Sequence, residues 1–373
     1  PLNFFLLAAA LALAPIGEGK PLSLRRWLAA GLLTGLAALS KYHAIFFAAD
    51  LFLYMLVTPE RRSQLLTPGP WFAALAALIV FSPVLLWNVE HHWVSLGFQG
   101  GRAQSHHFGP GLFLSLLLAQ LALITPWVAF PLLRGIANTM TGGDPRVRFV
   151  LWLGLPIALF FSFVPLWSDG GMVQWAMPGW LLLLPLAGRY LAEQSAHKKW
   201  PGLWAAGSAA LFVIVAALFC GEVQKAWLGD ALPGIFRRGD PTAENYEWRM
   251  LASQVNKRSV ADSRRDFILS SGWRDASKID QGLDGRYRVL VSGDDPRNFA
   301  VAADDRDFQG RDGWIVLRAG VSPTQRAAIL NCFSRISRPS AISLARGARP
   351  DAELVVWRGQ GYLPGRCDVQ RMD

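Results

Sequence analysis

A chain of 373 residues, 52% hydrophobic with 16 Trp and 22 Phe, carries a formal net charge of +10. The charge is uneven: positions 1–220 hold 13 Lys/Arg and 7 Asp/Glu, whereas 221–373 hold 24 and 20, which predicts a membrane region and then a soluble domain over 221–373. The basic excess is loop bias plus a nearly balanced tail, with no recognition module beside it, which excludes nucleic acid as a partner.

In chain order, apolar segments run Leu2 to Pro15, Trp27 to Leu39, His43 to Val57, Trp71 to Trp87, Gly111 to Leu132, Phe149 to Trp167, Pro178 to Leu191 and Pro201 to Cys220. They predict eight membrane helices, several shorter than the ~20 residues of a straight span. Lys20, Arg25, Arg26, Arg61, Arg62, Arg134, Arg146, Arg148, Arg189, Lys198 and Lys199 fall in four loops, while the two long loops between them carry only Arg102. The positive-inside rule makes the four basic loops cytoplasmic. The second and third segments lie between two basic loops, so an even number of crossings separates these loops. An out-and-back hairpin with Ser40 to His43 at its apex satisfies this; a single tilted helix is the competing reading and would invert everything downstream. Pro83, Pro126, Pro156, Pro165 and Pro185 are expected to kink their helices.

Beyond Gly221 the pattern turns soluble and, on this topology, extracytoplasmic. Helices are expected at Thr242 to Gln254, Asp275 to Gln281 and Pro323 to Phe333. Strands are expected at Phe267 to Ser270, Arg288 to Ser292, Trp314 to Leu317 and Glu353 to Arg358, with a turn at Gly282 to Gly285, so the tail reads as a small α/β domain. In an oxidising compartment a Cys332 to Cys367 disulfide is permitted, and two free thiols are the alternative. The chain opens at Pro1 without a Met or a charged leader, and is expected to start inside a longer protein.

Lys41 stands in apolar sequence, where a charge costs several kcal/mol unless it has a task or a partner. Beside Ser40, Tyr42 and His43 its ammonium is placed to neutralise a lipid phosphate; snorkelling for solvation alone is the plain alternative. The first long outer loop reads Trp87-Asn88-Val89-Glu90-His91-His92-Trp93, an interfacial segment anchored by Trp87 and Trp93. Arg102, farther along, can grip a phosphate bidentately. His91, His92 and His43 are candidates for substrate contact. No metal or other cofactor is assigned, and Glu90, His91 and His106 stand as an open alternative for a divalent ion. In the second outer loop Trp175 and Trp180 would stack on a sugar or sit in the aromatic belt, Gln174 is a candidate substrate contact, and Asp169 is a weak candidate base. Asp50, inside the third segment, is expected to have a partner, such as a cation from a preceding part of the protein.

Gly35-Leu36-Ala37-Ala38-Leu39-Ser40-Lys41-Tyr42, Pro68-Gly69-Pro70-Trp71, Pro83-Val84-Leu85-Leu86-Trp87-Asn88, Phe98-Gln99 and Gln174-Trp175-Ala176-Met177-Pro178-Gly179-Trp180 resemble, in this order, bacterial family 39 glycosyltransferases. These belong to the C-type membrane superfamily, with the protein O-mannosyltransferases and the lipid A aminoarabinose transferase. Asp240-Pro241-Thr242 through Trp248-Arg249 and Ser292-Gly293-Asp294-Asp295-Pro296-Arg297 are similar to the family's tail. The resemblance implies a polytopic α-helical membrane fold with a C-terminal α/β domain. It implies transfer of a sugar from a polyprenyl-phosphate donor to a lipid, glycan or protein acceptor on the outer face of the bacterial cytoplasmic membrane. It also implies a catalytic carboxylate in a first outer loop, expected upstream of Pro1, whose sequence looks like the stretch just after the family's Thr-Pro-Asp-Ala. Lys41 matches the lysine of the Ser/Thr-Lys motif, which implies contact with the donor phosphate; Tyr42 next to it and, by its bidentate chemistry, Arg102 are the further candidate contacts to that phosphate. Gln174 stands where the family often has His, and the resemblance implies no acid/base role for it. A lipid-linked-sugar transporter or flippase is the rival class, expected to show paired broken helices in internal repeats, of which the sequence shows no sign, and a non-catalytic envelope assembly protein is the third.

Overall fold

A computed structural model describes residues 1–101, 108–142, 144–168, 171–196, 198–225, 227, 248, 250–251, 266–293, 296–346 and 349–369. Its contacts divide the chain into Pro1–Ala210 and Leu211–Asp373. Helix α11 (Trp200–Lys225) runs through the division.

The first unit is helical: α1 (Leu2–Gly17), α2 (Leu24–Ser40), α3 (Ala44–Val57), α4 (Pro59–Leu65), α5 (Pro68–Glu90), α6 (Val94–Gly101), α7 (Pro110–Ile124), α8 (Pro126–Thr141), α9 (Pro145–Phe163) and α10 (Met177–Ser195). Three helices among the described residues are long and apolar enough to cross a membrane alone, and α7 with α8 would make a fourth as one broken span.

The pair α2 and α3 is a hairpin. Trp27 and Ala30 near the start of α2 line the same cavity of about 140 Å³ as Leu51 and Met55 near the end of α3. In one continuous helix Trp27 and Met55 would stand ~42 Å apart. The basic loops meet accordingly. A Cβ on Gly19 would lie 3.2 Å from the Arg61 guanidinium, Glu18 pairs with Arg146 at 3.5 Å, and Arg189 is bonded to Asp144. That hydrogen bond from Arg189 holds the Asp144 carboxyl below the usual carboxylate range.

Lipid and protein interior are equally apolar, so helices in a bilayer associate where small residues let backbones approach. Gly31 and Gly35 are such residues: a Cβ on Gly31 would meet Ala73 O at 2.2 Å, and one on Gly35 would meet Val80 Cβ at 2.7 Å. α2 and α5 therefore run parallel in close contact. Gly154 and Gly179 do the same for antiparallel α9 and α10, where a Cβ on Gly179 would lie 2.4 Å from Ala158 N. Gly31→Leu is expected to cost about 3 kcal/mol, because backbone on the facing helix cannot yield. Thermal unfolding in detergent checks this, and a melting temperature within 2 °C of the parent would remove α2 and α5 as a packed pair.

The expected segment Gly111 to Leu132 is not one kinked helix. Thr125 has φ 66, and the chain bends by 99° between α7 and α8. Pro126 has no N–H to continue the ladder and disfavours helical backbone at the residue before it, so the proline ends α7 and starts α8. α8 then lies along α10, with Gly135 against Leu186. Pro83, Pro156 and Pro185 lie within helices as expected, whereas Pro165 sits in a short 3-10 turn, Val164–Leu166.

The second unit is a mixed six-stranded sheet: β1 (Phe267–Ser270), β2 (Arg288–Val291), β3 (Gly313–Arg318), β4 (Phe333–Ile336), β5 (Ser340–Arg346) and β6 (Arg349–Tyr362), in the order β2-β1-β3-β6-β4 with β5 also pairing β6. β1 is parallel to β2 and β3, and the β6 pairings are antiparallel. Helices α12 (Trp273–Gly282), α13 (Phe299–Ala302) and α14 (Pro323–Leu330) connect them. The helix expected at Pro323 to Phe333 stops at Leu330, and Phe333 opens β4. β5 was not foreseen, and the last strand is longer than Glu353 to Arg358. Most of the segment Thr242 to Gln254 lies outside the described residues, but Trp248 and Leu251 pack in the core with Ile268, Ala276 and Val289. Cys332 and Cys367 form a disulfide, Cα atoms 4.8 Å apart.

Candidate functional site

Lys41 ends α2. Its backbone is extended, at φ −161 and ψ 142, while its N–H still donates to Ala37 O at 3.0 Å. The helix thus stops at the lysine, whose side chain is exposed. Three residues later α3 begins and heads back, which places the ammonium at the turn of the hairpin, at the end opposite the basic loops. Ser40 spends its hydroxyl on its own helix, donating to Leu36 O at 3.0 Å.

Tyr42 and His43 reach the other two loops of this end. The Tyr42 hydroxyl lies 2.6 Å from Ser95 Oγ, which ties the turn to α6, and its ring meets Phe81 edge-on. His43 stacks on Phe161 of α9 with centroids 4.5 Å apart and meets the edge of Trp175 at 6.1 Å. Its Nε2 is buried and takes no hydrogen bond among the described residues. Buried polar atoms are almost always paired, so this nitrogen is an unused hydrogen-bonding position next to the turn. Three segments far apart in sequence, 41–43, 94–101 and 173–175, therefore meet at the turn that carries Lys41, through Tyr42 with Ser95 and His43 with Trp175.

The side chains of the other candidates make contacts of their own. His91 stacks on Trp87 at 4.1 Å, and its Nδ1 lies 2.8 Å from Trp87 O, so it caps α5. His92 follows with φ 52, outside any helix. Gln174 Nε2 is 3.2 Å from Met172 Sδ, and Gln174 is exposed. Arg102, His106 and Asp169 lie outside the described residues. Among the described residues no three His, Cys, Asp or Glu side chains gather to hold a metal. Asp50 is buried within α3, and its Oδ2 has no hydrogen-bond partner among the described residues.

Gln120 was not anticipated. It is the buried polar residue of α7, and its Oε1 accepts from Trp180 Nε1 at 2.9 Å with Ser162 Oγ at the same distance. This holds α7 across the ends of α9 and α10 next to the Val173–Trp175 turn, beside the site. A lone amide in an otherwise apolar run was the available signal, because in such a setting it must find partners. Asn88 was legible only as part of a motif; it is fully buried, and its carbonyl accepts from Trp93 N at 2.7 Å, turning the chain from α5 into α6.

Residues 1–87, which include Lys41, match the family model described as dolichyl-phosphate-mannose-protein mannosyltransferase. Over 297 residues the chain is 27% identical to the lipid A galacturonosyltransferase RgtD of Rhizobium johnstonii, an alignment covering 74% of this chain and 58% of that protein. The chain thus spans less than two thirds of the length of the curated relative it matches. No solved structure matches. The two matches bear out the resemblance to family 39, C-type membrane glycosyltransferases.

Proposed function

We propose that this chain is the part of a membrane glycosyltransferase that holds a lipid-phosphate sugar donor and delivers the sugar to a lipid acceptor. The observation that carries this is the exposed Lys41 ammonium at the α2 to α3 turn, with Tyr42 bonded to Ser95 and the open Nε2 of His43 beside it. A departing polyprenyl phosphate carries negative charge at the membrane surface, and a preorganised cation lowers the barrier most where that charge develops. Arg102 is assigned a second contact to the same phosphate, and Trp175 a face for the sugar. By the family resemblance, the base that deprotonates the acceptor hydroxyl is assigned to a carboxylate of a first outer loop. RgtD is named for lipid A and galacturonic acid, which favours a lipid A-type acceptor and an acidic sugar here.

The site is proposed to face outward from the cytoplasmic membrane. Supporting this, the basic loops gather at the opposite end of the helices, and the second unit holds a disulfide of the kind that persists in oxidising compartments. With exposed Cys220 first replaced by Ser, a cysteine introduced at Ser63 in α4 should resist an impermeant maleimide in intact cells and react after permeabilisation. Labelling in intact cells would put the basic loops outside and Lys41 on the wrong face for an outward donor.

A further inference from the structure

Where the basic loops of the first unit meet, α4 lies against the cavity of about 140 Å³ between the arms of the hairpin and α5. Its floor of Leu13, Trp27 and Phe47 is buried, whereas a rim of Phe52 on α3 with Trp71 and Ala74 on α5 is exposed. The cavity therefore opens sideways between α3 and α5, toward whatever surrounds the helices. An almost wholly apolar lining gives water few partners, and left empty it would forfeit dispersion contacts along its walls. An apolar chain suits it.

Charge stands next to this cavity. Leu65, the last residue of α4, lines it, and Arg61 precedes Leu65 by one helical turn on the same face. The Arg61 guanidinium lies just past the end of α1, where a Cβ on Gly19 would come within 3.2 Å of it. Its Nε is buried without a hydrogen-bond partner, and no carboxylate pairs with it among the described residues. Arg62 differs, since its Nε donates to Leu56 O at 2.6 Å. Across residues 18–26 and 60–62, all of them described, Lys20, Arg25, Arg26, Arg61 and Arg62 stand against Glu18 and Glu60. Glu18 is already engaged by Lys20 at 2.7 Å and Arg146 at 3.5 Å, and Glu60 is exposed. The surplus is positive, and Arg61 is the member of it with an unused buried donor beside the cavity.

We infer that this place holds one anionic phospholipid of the surrounding bilayer, with its phosphate on Arg61 and one acyl chain in the cavity between α3 and α5. Cations clustered at the ends of membrane helices attract anionic headgroups, and an apolar slot one turn away takes the chain that such a headgroup carries. The lipid braces the second arm of the hairpin whose far end bears Lys41. The site lies at the opposite end of the helices from Lys41 and does not depend on the transfer reaction.

The full chain in detergent, with Lys41→Ala to remove the proposed donor contact, is titrated with dioleoyl phosphatidylglycerol and, separately, with dioleoyl phosphatidylcholine, and bound lipid is read by native mass spectrometry. Phosphatidylglycerol should bind about tenfold more tightly, because its headgroup brings no cation to the cluster. Arg61→Gln should weaken phosphatidylglycerol about tenfold and leave phosphatidylcholine nearly unchanged, which also shows the variant to be folded, while Arg61→Lys keeps part of the preference. Ala74→Leu, which fills the exposed rim, should weaken both lipids severalfold. Equal affinity for the two lipids, an unchanged preference in Arg61→Gln, or an equal loss in Lys199→Gln, in the loop after α10, would mean diffuse charge only and overturn the site. Unchanged binding in Ala74→Leu would overturn the place of the chain. Farnesyl phosphate displacing phosphatidylglycerol at lower concentration would give the cavity to a prenyl chain and overturn the phospholipid as its occupant.

Discussion

Lys41→Ala is expected to lower the proposed sugar transfer about 10- to 150-fold, the equivalent of roughly 1.5 to 3 kcal/mol for a charge-assisted contact to phosphate. The protein should remain folded, because Lys41 is exposed and its backbone N–H bond to Ala37 O survives the substitution. Lys41→Arg should keep part of the activity, since the charge is retained while the compact ammonium geometry is lost. If the lysine only reaches for water at the interface, both variants turn over normally. Transfer within twofold of the parent for Lys41→Ala, at equal abundance and at limiting as well as saturating donor, would retire the phosphate contact and pass the role to Arg102.

Breaking the Cys332 to Cys367 bridge is expected to destabilise the second unit by about 3 to 4 kcal/mol, since it closes a loop spanning 35 residues in the unfolded chain. That corresponds to a drop on the order of 6 to 16 °C in melting temperature for a unit of this size. Cys332 is fully buried beside Ile329 and Phe333, so Cys332→Ser also places a hydroxyl in the core. Cys367→Ser removes the same bridge from its half-buried side and isolates the cross-link. Calorimetry of the full chain, oxidised and reduced, measures both effects. A shift below 3 °C for Cys367→Ser would mean that the fold of this unit owes nothing measurable to the bridge.

The placement of Lys41 was readable because a charge in apolar sequence is conspicuous, and the two flanking basic loops demanded a return of the chain between them. The hairpin observed at Ser40 to Ala44 is that return. The Cys332 to Cys367 pair was permitted by sequence but not assigned, since pairing depends on how β4 and the chain after β6 come together. β5 was missed because Ser340-Ala341-Ile342-Ser343-Leu344 alternates with small and weakly apolar residues, and it is a strand by virtue of the long β6 beside it.

From the order of residues alone came the division into apolar and polar regions, the gathering of basic loops on one side, and the candidate cation. These follow from the cost of leaving water, which each residue carries wherever it packs. Packing settled the rest: the break at Thr125, the bridge from Gln120 to Trp180, and the meeting of Tyr42 with Ser95 and of His43 with Trp175. Hydropathy is silent on these because a helix face turned to lipid and one turned to a neighbouring helix are equally apolar. What distinguishes them is shape, where Gly31, Gly35, Gly154 and Gly179 let backbones approach, and the few buried polar atoms that must find one another.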